Sequence, residues 1–388
     1  MKAGWQLKKL RDVCELVNGR AYGKSELLDE GKYRVLRVGN FFTNNHWYYS
    51  DLELEDKKYC DQGDLLYAWS ASFGPRIWTG EKVIYHYHIW KVIPEPSVID
   101  QRYLFHFFNW DTESIKEDQG AGTTMLHVSK GSMEDRDIQV PSLPEQQRIV
   151  TLLDEAFDGI ATAKAHAEKN LQNARAIFES HLESVFTQGE RGWSKRKLKE
   201  VCDKITDGTH QTPTYFDEGV VFLSSRNVTS GRIDWDKIKF IDEAQHLQMH
   251  KRVAPRLGDI LLAKNGTTGV AAMVDRDVVF DIYVSLALLR AREEILPDLL
   301  LYFVNSPVAK VQFNKRLKGS GVPNLHLEEI REVEIAFPTS IAEQRALISS
   351  LDNIASETQR LESIYQQKLA ALDELKKSLL HRAFSGDL

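Results

Sequence analysis

The chain has 388 residues, 42% of them hydrophobic, 27% charged and 10% aromatic, with 50 basic against 56 acidic side chains and a formal charge of −6. This is globular composition at a length that suggests two or three domains, able to bury their cores without disulfides or metals. Three cysteines (Cys14, Cys60, Cys202) without C-x-x-C spacing argue against a zinc cluster or a secreted disulfide scaffold. The opening MKAGWQLKKL lacks an apolar signal core, and the most apolar stretch, Val278–Leu289, is interrupted by Asp281 and too short to cross a bilayer. A cytoplasmic protein with no membrane association is expected.

In chain order, residues 1–141 are a patchwork of short apolar runs broken by Asn, Gly and Pro. Tyr33–Val38 and Lys82–Ile93 read as strands and Arg102–Asn109 as a helix. Ser142 and Glu145 form an S-x-x-E capping box with Pro144 in the first turn, predicting one long helix over 142–190. Residues 191–337 return to the patchwork, with strands at Val220–Leu223 and Asp277–Arg290 and a helix at Pro297–Phe303. Ser340 and Glu343 repeat the capping box and open a second long helix over 338–388.

In one heptad frame the first helix offers Ile149, Leu153, Ala156, Ile160, Ala163, Ala167, Ala174 and Ile177. The second offers Leu347, Leu351, Ile354, Leu361, Tyr365, Leu372, Leu375 and Leu379. An Ala-rich stripe against a Leu-rich one predicts an antiparallel coiled-coil seam, and helices of this length span roughly 65 Å.

The same landmarks occur twice, in the same order. Gly4-Trp5, Leu10, Val13 and Cys14 recur as Gly192-Trp193, Leu198, Val201 and Cys202; Gly63-Asp64-Leu65-Leu66 recurs as Gly258-Asp259-Ile260-Leu261. Gly122, Leu126 and His127 recur as Gly321, Leu325 and His326. Leu143, Glu145, Gln146 and Asp154 recur as Ile341, Glu343, Gln344 and Asp352. The displacement grows from 188 to 198, so the second copy carries about ten additional residues in its globular part. The expected fold is α/β (α+β): two similar mixed domains, 1–141 and 191–337, joined by two antiparallel spacer helices and related by an internal pseudo-twofold.

Divided this way, residues 1–144 hold 18 basic and 21 acidic residues, 145–190 hold 4 and 8, 191–337 hold 22 and 20, and 338–388 hold 6 and 7. The negative charge lies mainly in the helices, and the globular parts are nearly neutral. Basic clusters at Lys8, Lys9 and Arg11 and at Arg191, Lys195, Arg196, Lys197 and Lys199 fall at corresponding places, as solvated surface or as phosphate contacts. Catalytic motifs are missing. Gly19–Ser25 is one residue short of a phosphate-binding loop, and no G-x-S-x-G, H-E-x-x-H or Asn/Asp-Pro-Pro-Tyr stretch occurs. His86 and His88 alternate with Tyr85 and Tyr87 along an expected strand and lack further ligands for a metal.

Two such domains, each followed by a long helix opening L-P-E-Q-Q-R or I-A-E-Q-R, resemble the specificity (S) subunit of type I restriction–modification systems. The repeated Gly-Trp openings, GDLL and GDIL, and the closing Ala383-Phe384-Ser385-Gly386-Asp387-Leu388 carry the likeness over the whole chain. Arg345 directly after Gln344, where the first copy has Gln147 before Arg148, is the one small departure. The resemblance implies a non-catalytic chain whose two domains each read half of a bipartite site on double-stranded DNA while the helices set the spacer. It also implies docking of two methyltransferase subunits, with motor-nuclease subunits in the larger complex. S-adenosylmethionine, ATP and magnesium then belong to those partners, and no cofactor is expected on this chain.

Base edges are read by Arg, Asn, Gln, Lys and hydroxyl side chains. In loop positions the first copy offers Arg37, Asn40, Trp69, Ser70, Ser72 and Arg76, and the second Arg226, Asn227, Lys264, Asn265, Thr267 and Thr268. Gly120–Thr124, with Thr123, and Gly319–Pro323 are loops whose backbone N–H groups are suited to phosphate. A protein-binding scaffold built on the same duplicated domains and coiled coil is the alternative that near-neutral domains leave open.

Overall fold

The computed structural model describes residues 4–42, 45–70, 74–118, 128–189, 192–317 and 324–388. The chain divides into two compact units, residues 1–167 with 367–388 and residues 168–366, and both boundaries fall inside long helices.

The first globular part holds β1 (Gln6–Lys9), β2 (Cys14–Asn18), β3 (Tyr33–Leu36), α1 (Val38–Phe42), β4 (Tyr48–Ser50), β5 (Tyr59–Cys60) and β6 (Leu65–Ala68). There follow β7 (Gly74–Ile77), β8 (Val83–Tyr85), β9 (Ile89–Pro94), α2 (Gln101–Asp118), α3 (Lys130–Glu134), β10 (Asp137–Val140) and the long helix α4 (Leu143–Gln188). One sheet runs β2-β9-β6-β7, entirely antiparallel; the second runs β4-β3-β8-β5, with β3 and β8 parallel. A parallel pair needs a long crossover, and here the connection from β3 to β8 builds the strands β4 to β7. A separate ribbon, β1 with β10, ties the start of the domain to the strand that leads into α4.

The central strand β6 explains why its sequence is apolar throughout. Side chains alternate across a sheet: Leu65 and Tyr67 enter the main core with α2, while Leu66 and Ala68 enter a second core with Leu36, Phe41 and Tyr85.

The second globular part repeats the plan with β11 (Ser194–Lys197), α5 (Leu198–Val201), β12 (Cys202–Asp207), β13 (Val220–Leu223), β14 (Lys239–Ile241), α6 (Glu243–Met249) and β15 (Ile260–Ala263). Then come β16 (Ala271–Met273), β17 (Phe280–Ile282), β18 (Leu286–Ala291), α7 (Pro297–Asn305), α8 (Pro307–Asn314), α9 (Leu327–Arg331), β19 (Glu334–Phe337) and α10 (Ile341–Ser385). Its sheets run β12-β18-β15-β16 and β14-β13-β17, with β13 and β17 parallel and β11 paired to β19. Again the central strand serves two cores: Ile260 and Leu262 face one, Leu261 and Ala263 the other.

Several expectations change. Lys82–Ile93 and Asp277–Arg290 are each two strands, because Tyr87-His88 and Tyr283–Ser285 turn the chain between them; His86 and His88 therefore do not alternate along a strand. Both short helices extend, to Gln101–Asp118 and Pro297–Asn305, and the second copy adds α8, which starts with Pro307 in its first turn and the Ser306 hydroxyl capping Ala309 N–H. The recurrence of Gly122, Leu126 and His127, the loops Gly120–Thr124 and Gly319–Pro323, Arg191, Ser72 and Thr123 lie outside the described residues.

Within each unit the long helices pack antiparallel. In unit one Ile149, Leu153 and Phe157 share the core with Leu379, Leu380, Ala383 and Phe384, and Lys164 pairs with Asp373 at 2.5 Å. In unit two Phe178, Leu182 and Phe186 join Leu347 and Leu351, and Arg175 pairs with Glu362 at 3.2 Å. Leu153, Ile160, Ala167 and Ala174 keep the seven-residue stripe buried. Ile177 (59% exposed) and Leu375 (47%) leave it, the former because Phe178 takes the core-facing position. Ser340 caps α10 by accepting from Glu343 N–H at 3.5 Å.

Candidate nucleic-acid interface

The repeated motifs turn out to hold a shared frame. Gln146 is fully buried at the start of α4: its Oε1 accepts from Asp100 N–H (2.7 Å), and its Nε2 donates to the carbonyls of Val98 and Pro141 (2.9 Å each). Gln344 makes the same set with Leu296 N–H, Glu294 carbonyl and Pro338 carbonyl, each at 2.8 Å. One side chain thus clamps each long helix to the segment before α2 or α7 and to the end of β10 or β19. The acid eight residues on adds a second tie: Asp154 accepts from Arg102 and His106, and Asp352 from the Tyr302 hydroxyl.

In GDLL and GDIL the Gly-Asp pair closes a turn and the two apolar residues open the central strand. Gly63 (φ 93°) and Gly258 (φ 82°) occupy the left-handed region that favours glycine. The following aspartates receive cations from the neighbouring strand, Lys91 on Asp64 at 2.6 Å and Arg290 on Asp259 at 2.7 Å.

Gly19 and Gly208 have a different role. A Cβ on Gly19 would stand 2.3 Å from Tyr85 carbonyl oxygen, and one on Gly208 would stand 1.9 Å from that of Ile282. This close approach lets the chain after β2 or β12 bridge in parallel to the turn, Arg20 to His86 and Thr209 to Tyr283. It also replaces the phosphate-loop look of Gly19–Ser25 with a packing reason.

Each copy therefore brings a turn (86–88 or 283–285) beside the segment after its parallel strand (37–40 or 224–227), and a cleft opens between them; in the first copy that segment is Arg37 and the start of α1, so Asn40 is helical where a loop was expected. The first cleft, about 240 Å³, is lined by Arg37, Val38, Gly39, Asn40, His46, His86 and His88. Arg37 is exposed, with its guanidinium 5.3 Å from the Tyr48 ring centre. Burial, then the neighbouring His88 and Arg37 charges, pull the His86 imidazole down to about 4, so it is neutral near pH 7. The second cleft, about 530 Å³, is more basic and more hydroxylated, with Ser224, Ser225, Arg226, Lys237, Lys239, Tyr283 and Ser285 among its lining. Arg226 is exposed and its guanidinium makes no hydrogen bond or ion pair with the described residues, while Lys239 Nζ sits 3.8 Å from the Tyr215 ring centre. Lys237, Lys239, Tyr215, Tyr283 and His46 escaped sequence reasoning, because they reach the cleft from elements whose meeting only the parallel strand pair creates.

The structure separates the sequence candidates. Arg37 and Arg226 line the clefts, and Thr267 and Thr268 lie on a turn between Gly266 (φ 76°) and Gly269 (φ 82°), Thr267 exposed and Thr268 half-buried. Others are consumed internally. Asn227 is buried, taking Ser224 N–H at 2.9 Å and donating to the Asp234 and Lys237 carbonyls. Asn40, although it lines the first cleft, donates to the His46 carbonyl at 2.6 Å, and Arg76 to the Phe41 carbonyl. Trp69 stacks on Trp90 at 5.8 Å and donates its indole N–H to Tyr87 carbonyl, fixing the turn. Ser70 is buried, and Asn265 is half-buried with its amide oxygen unpaired among the described residues.

Lys264 is buried against Asp207 at 3.2 Å, and Arg252 meets the same carboxylate at 2.6 Å. Burial works to raise Asp207, yet hydrogen bonds from Arg252 and Lys264 hold it below the ordinary carboxylate range.

Most of the two basic clusters is likewise spent within the domains. Lys9 pairs with Asp137 and Arg11 with Asp135, while Lys195, Arg196, Lys197 and Lys199 pair with Glu334, Glu294 and Glu332. Lys197 and Lys199 together pull Glu332 down to about 2. Buried Cys14 and Cys202 have thiols pushed up by burial to about 12, unfit as nucleophiles near neutral pH.

A duplicated mixed domain, each copy bearing a cleft at the same turn and each clamped to a long helix, defines a tandem recognition protein. A family model for the type I restriction modification DNA specificity domain matches residues 2–172 and again 190–370, and the chain belongs to this family of specificity subunits. Among curated proteins it is 25% identical over 345 residues to the type I restriction enzyme MjaVIII specificity subunit of Methanocaldococcus jannaschii, covering 84% of this chain and 80% of that one. It is 20% identical to the EcoBI specificity subunit of Escherichia coli, covering 99% and 86%.

Among solved structures, a chain from a study of complex assembly and conformational transition of the type I R-M system superposes with a TM-score of 0.78 at 20% identity, covering 100% of this chain and 99% of that one. The HsdS subunit from Thermoanaerobacter tengcongensis gives 0.57 at 19% identity, with 100% and 98% covered. No helix among the described residues is long and apolar enough to cross a membrane.

Proposed function

We propose that each cleft reads one half of a bipartite site on double-stranded DNA, and that the chain performs no catalysis itself. In this reading the long helices set the spacer between half-sites and carry two methyltransferase subunits. Motor-nuclease subunits complete the cytoplasmic assembly, and S-adenosylmethionine, ATP and magnesium stay with those partners. The observation that carries the proposal is the recurrence of one cleft construction in both copies with different polar linings: one cation and three imidazoles in the first, three cations and several hydroxyls in the second. A shared scaffold with divergent linings is what two half-sites of unlike sequence require, since base identity is read by side-chain donors and acceptors.

Arg226→Ala tests it. In complex with the methyltransferase subunits, the variant is expected to lose about 1–3 kcal/mol of binding and to relax specificity in one half-site only. Methylome sequencing of cells carrying it reads both halves at once. Relaxation of both halves, or of neither with affinity unchanged, would overturn the assignment of Arg226 to one half.

A further inference from the structure

We infer that His246, His250 and Asp281 form a divalent transition-metal site, of the zinc class, in the second globular part. His246 on α6 and His250 just past its end are four residues apart and so share a helix face. Across from them, β17 presents Asp281. His246 Nδ1 lies 2.6 Å from Asp281 Oδ2, and His250 Nδ1 lies 3.1 Å from Oδ1. The two ring centres are 4.7 Å apart, and one donor atom from each of the three residues falls within 4.8 Å of the others. A tetrahedral ion with bonds near 2.0–2.1 Å holds its donors about 3.3 Å apart, so each histidine nitrogen would open from the carboxylate by less than about 1 Å, and the donors, all within 4.8 Å of one another, would adjust by no more than about 1.5 Å. Two imidazoles and a carboxylate are the donor set of three-ligand zinc sites, and His250, being half-buried, leaves a fourth position for water or a ligand.

Charge gives a second, separate argument. Four aspartates are buried among the described residues: Asp111, Asp207, Asp259 and Asp281. Asp111 pairs with Arg136, Asp207 with Arg252 and Lys264, and Asp259 with Arg290. The carboxylate of Asp281, 1% exposed, pairs with the two histidines and with no lysine or arginine among the described residues. A buried carboxylate without a fixed cation is costly, and a divalent ion supplies that charge.

The surrounding sequence points the same way. The start of β3 and the start of β6 are 32 residues apart, while β13 and β15 are 40 apart, so most of the second copy's additional residues lie in the segment that contains α6. Position 281 corresponds to Ile84, which in the first copy closes an apolar cluster with Val35 and Tyr59. The second copy has exchanged that cluster for a polar triad, and a bound ion would fasten α6 to β17.

The test uses untagged full-length chain, stripped by dialysis and titrated with Zn²⁺ against a chromophoric chelator, with Co²⁺ as a spectroscopic probe. Expected are one tightly held ion per chain, visible Co²⁺ bands of four- or five-coordinate type, and a raised unfolding temperature with Zn²⁺. His250→Gln alters the most exposed ligand and keeps a polar side chain; it should weaken Zn²⁺ by more than about tenfold and reduce the rise in unfolding temperature that Zn²⁺ produces relative to its own metal-free midpoint. Asp281→Asn should abolish binding. No stoichiometric uptake by the wild type, or equal uptake by His250→Gln, overturns the inference and leaves the triad as hydrogen bonds alone.

Discussion

The two copies agree where they meet their helices and disagree in the second sheet and the cleft beside it. Gln146 and Gln344 make the same three hydrogen bonds, and Gly19 and Gly208 permit the same close approach to a turn. In contrast, Ile84 and Asp281 occupy the same strand position with opposite chemistry, and β5 of the first copy borders β8 where α6 packs on β17 in the second. A frame that must hold one helix angle tolerates little change, since each of its buried polar groups needs its partner. The second sheet and the cleft carry different side chains in the two copies.

The comparison breaks most visibly at the glutamine clamp. Gln344→Leu orphans one buried N–H and leaves two carbonyls without their donor, at an expected cost of about 3 kcal/mol or more by urea unfolding. Gln146→Leu should cost the same within about 1 kcal/mol if the frame is truly shared. Gly208→Ala comes next, at about 2–3 kcal/mol, because its Cβ would collide with the Ile282 backbone; Gly19→Ala should fall slightly below it.

The smallest effect sharpens the difference between clefts. His86 sits near 4 in the folded chain against about 6.5 unfolded, so in that window the unfolded chain binds the additional proton and stability falls as pH drops through it. His86→Asn should flatten this part of the pH dependence of unfolding. In the second copy, Tyr283 stands at this place.

Sequence reasoning placed the duplication, both long helices and the strands at 33–36 and 220–223, because heptads, capping boxes and apolar runs are local signals. It located the cleft segments Arg37–Asn40 and Ser224–Asn227 by correspondence but read both as loops, where a short helix from Val38 and a 3-10 turn at Ser225–Asn227 form, and it ran the strand from Tyr33 on to Val38. It could not tell Arg226, which is presented, from Asn227, which is buried one residue later, since both are polar loop residues by type. Nor did it mark the pairing of Lys264 with Asp207, or of His246 and His250 with Asp281, residues more than thirty apart in sequence.

From the amino-acid order alone came the class of domain, its doubling and the helices that follow each copy, because periodicity and repetition are written along one dimension. Which polar side chains are presented in the clefts and which are used up inside was decided by tertiary structure. Burial and partnership depend on strands that meet only after the chain has crossed from one sheet to the other and back.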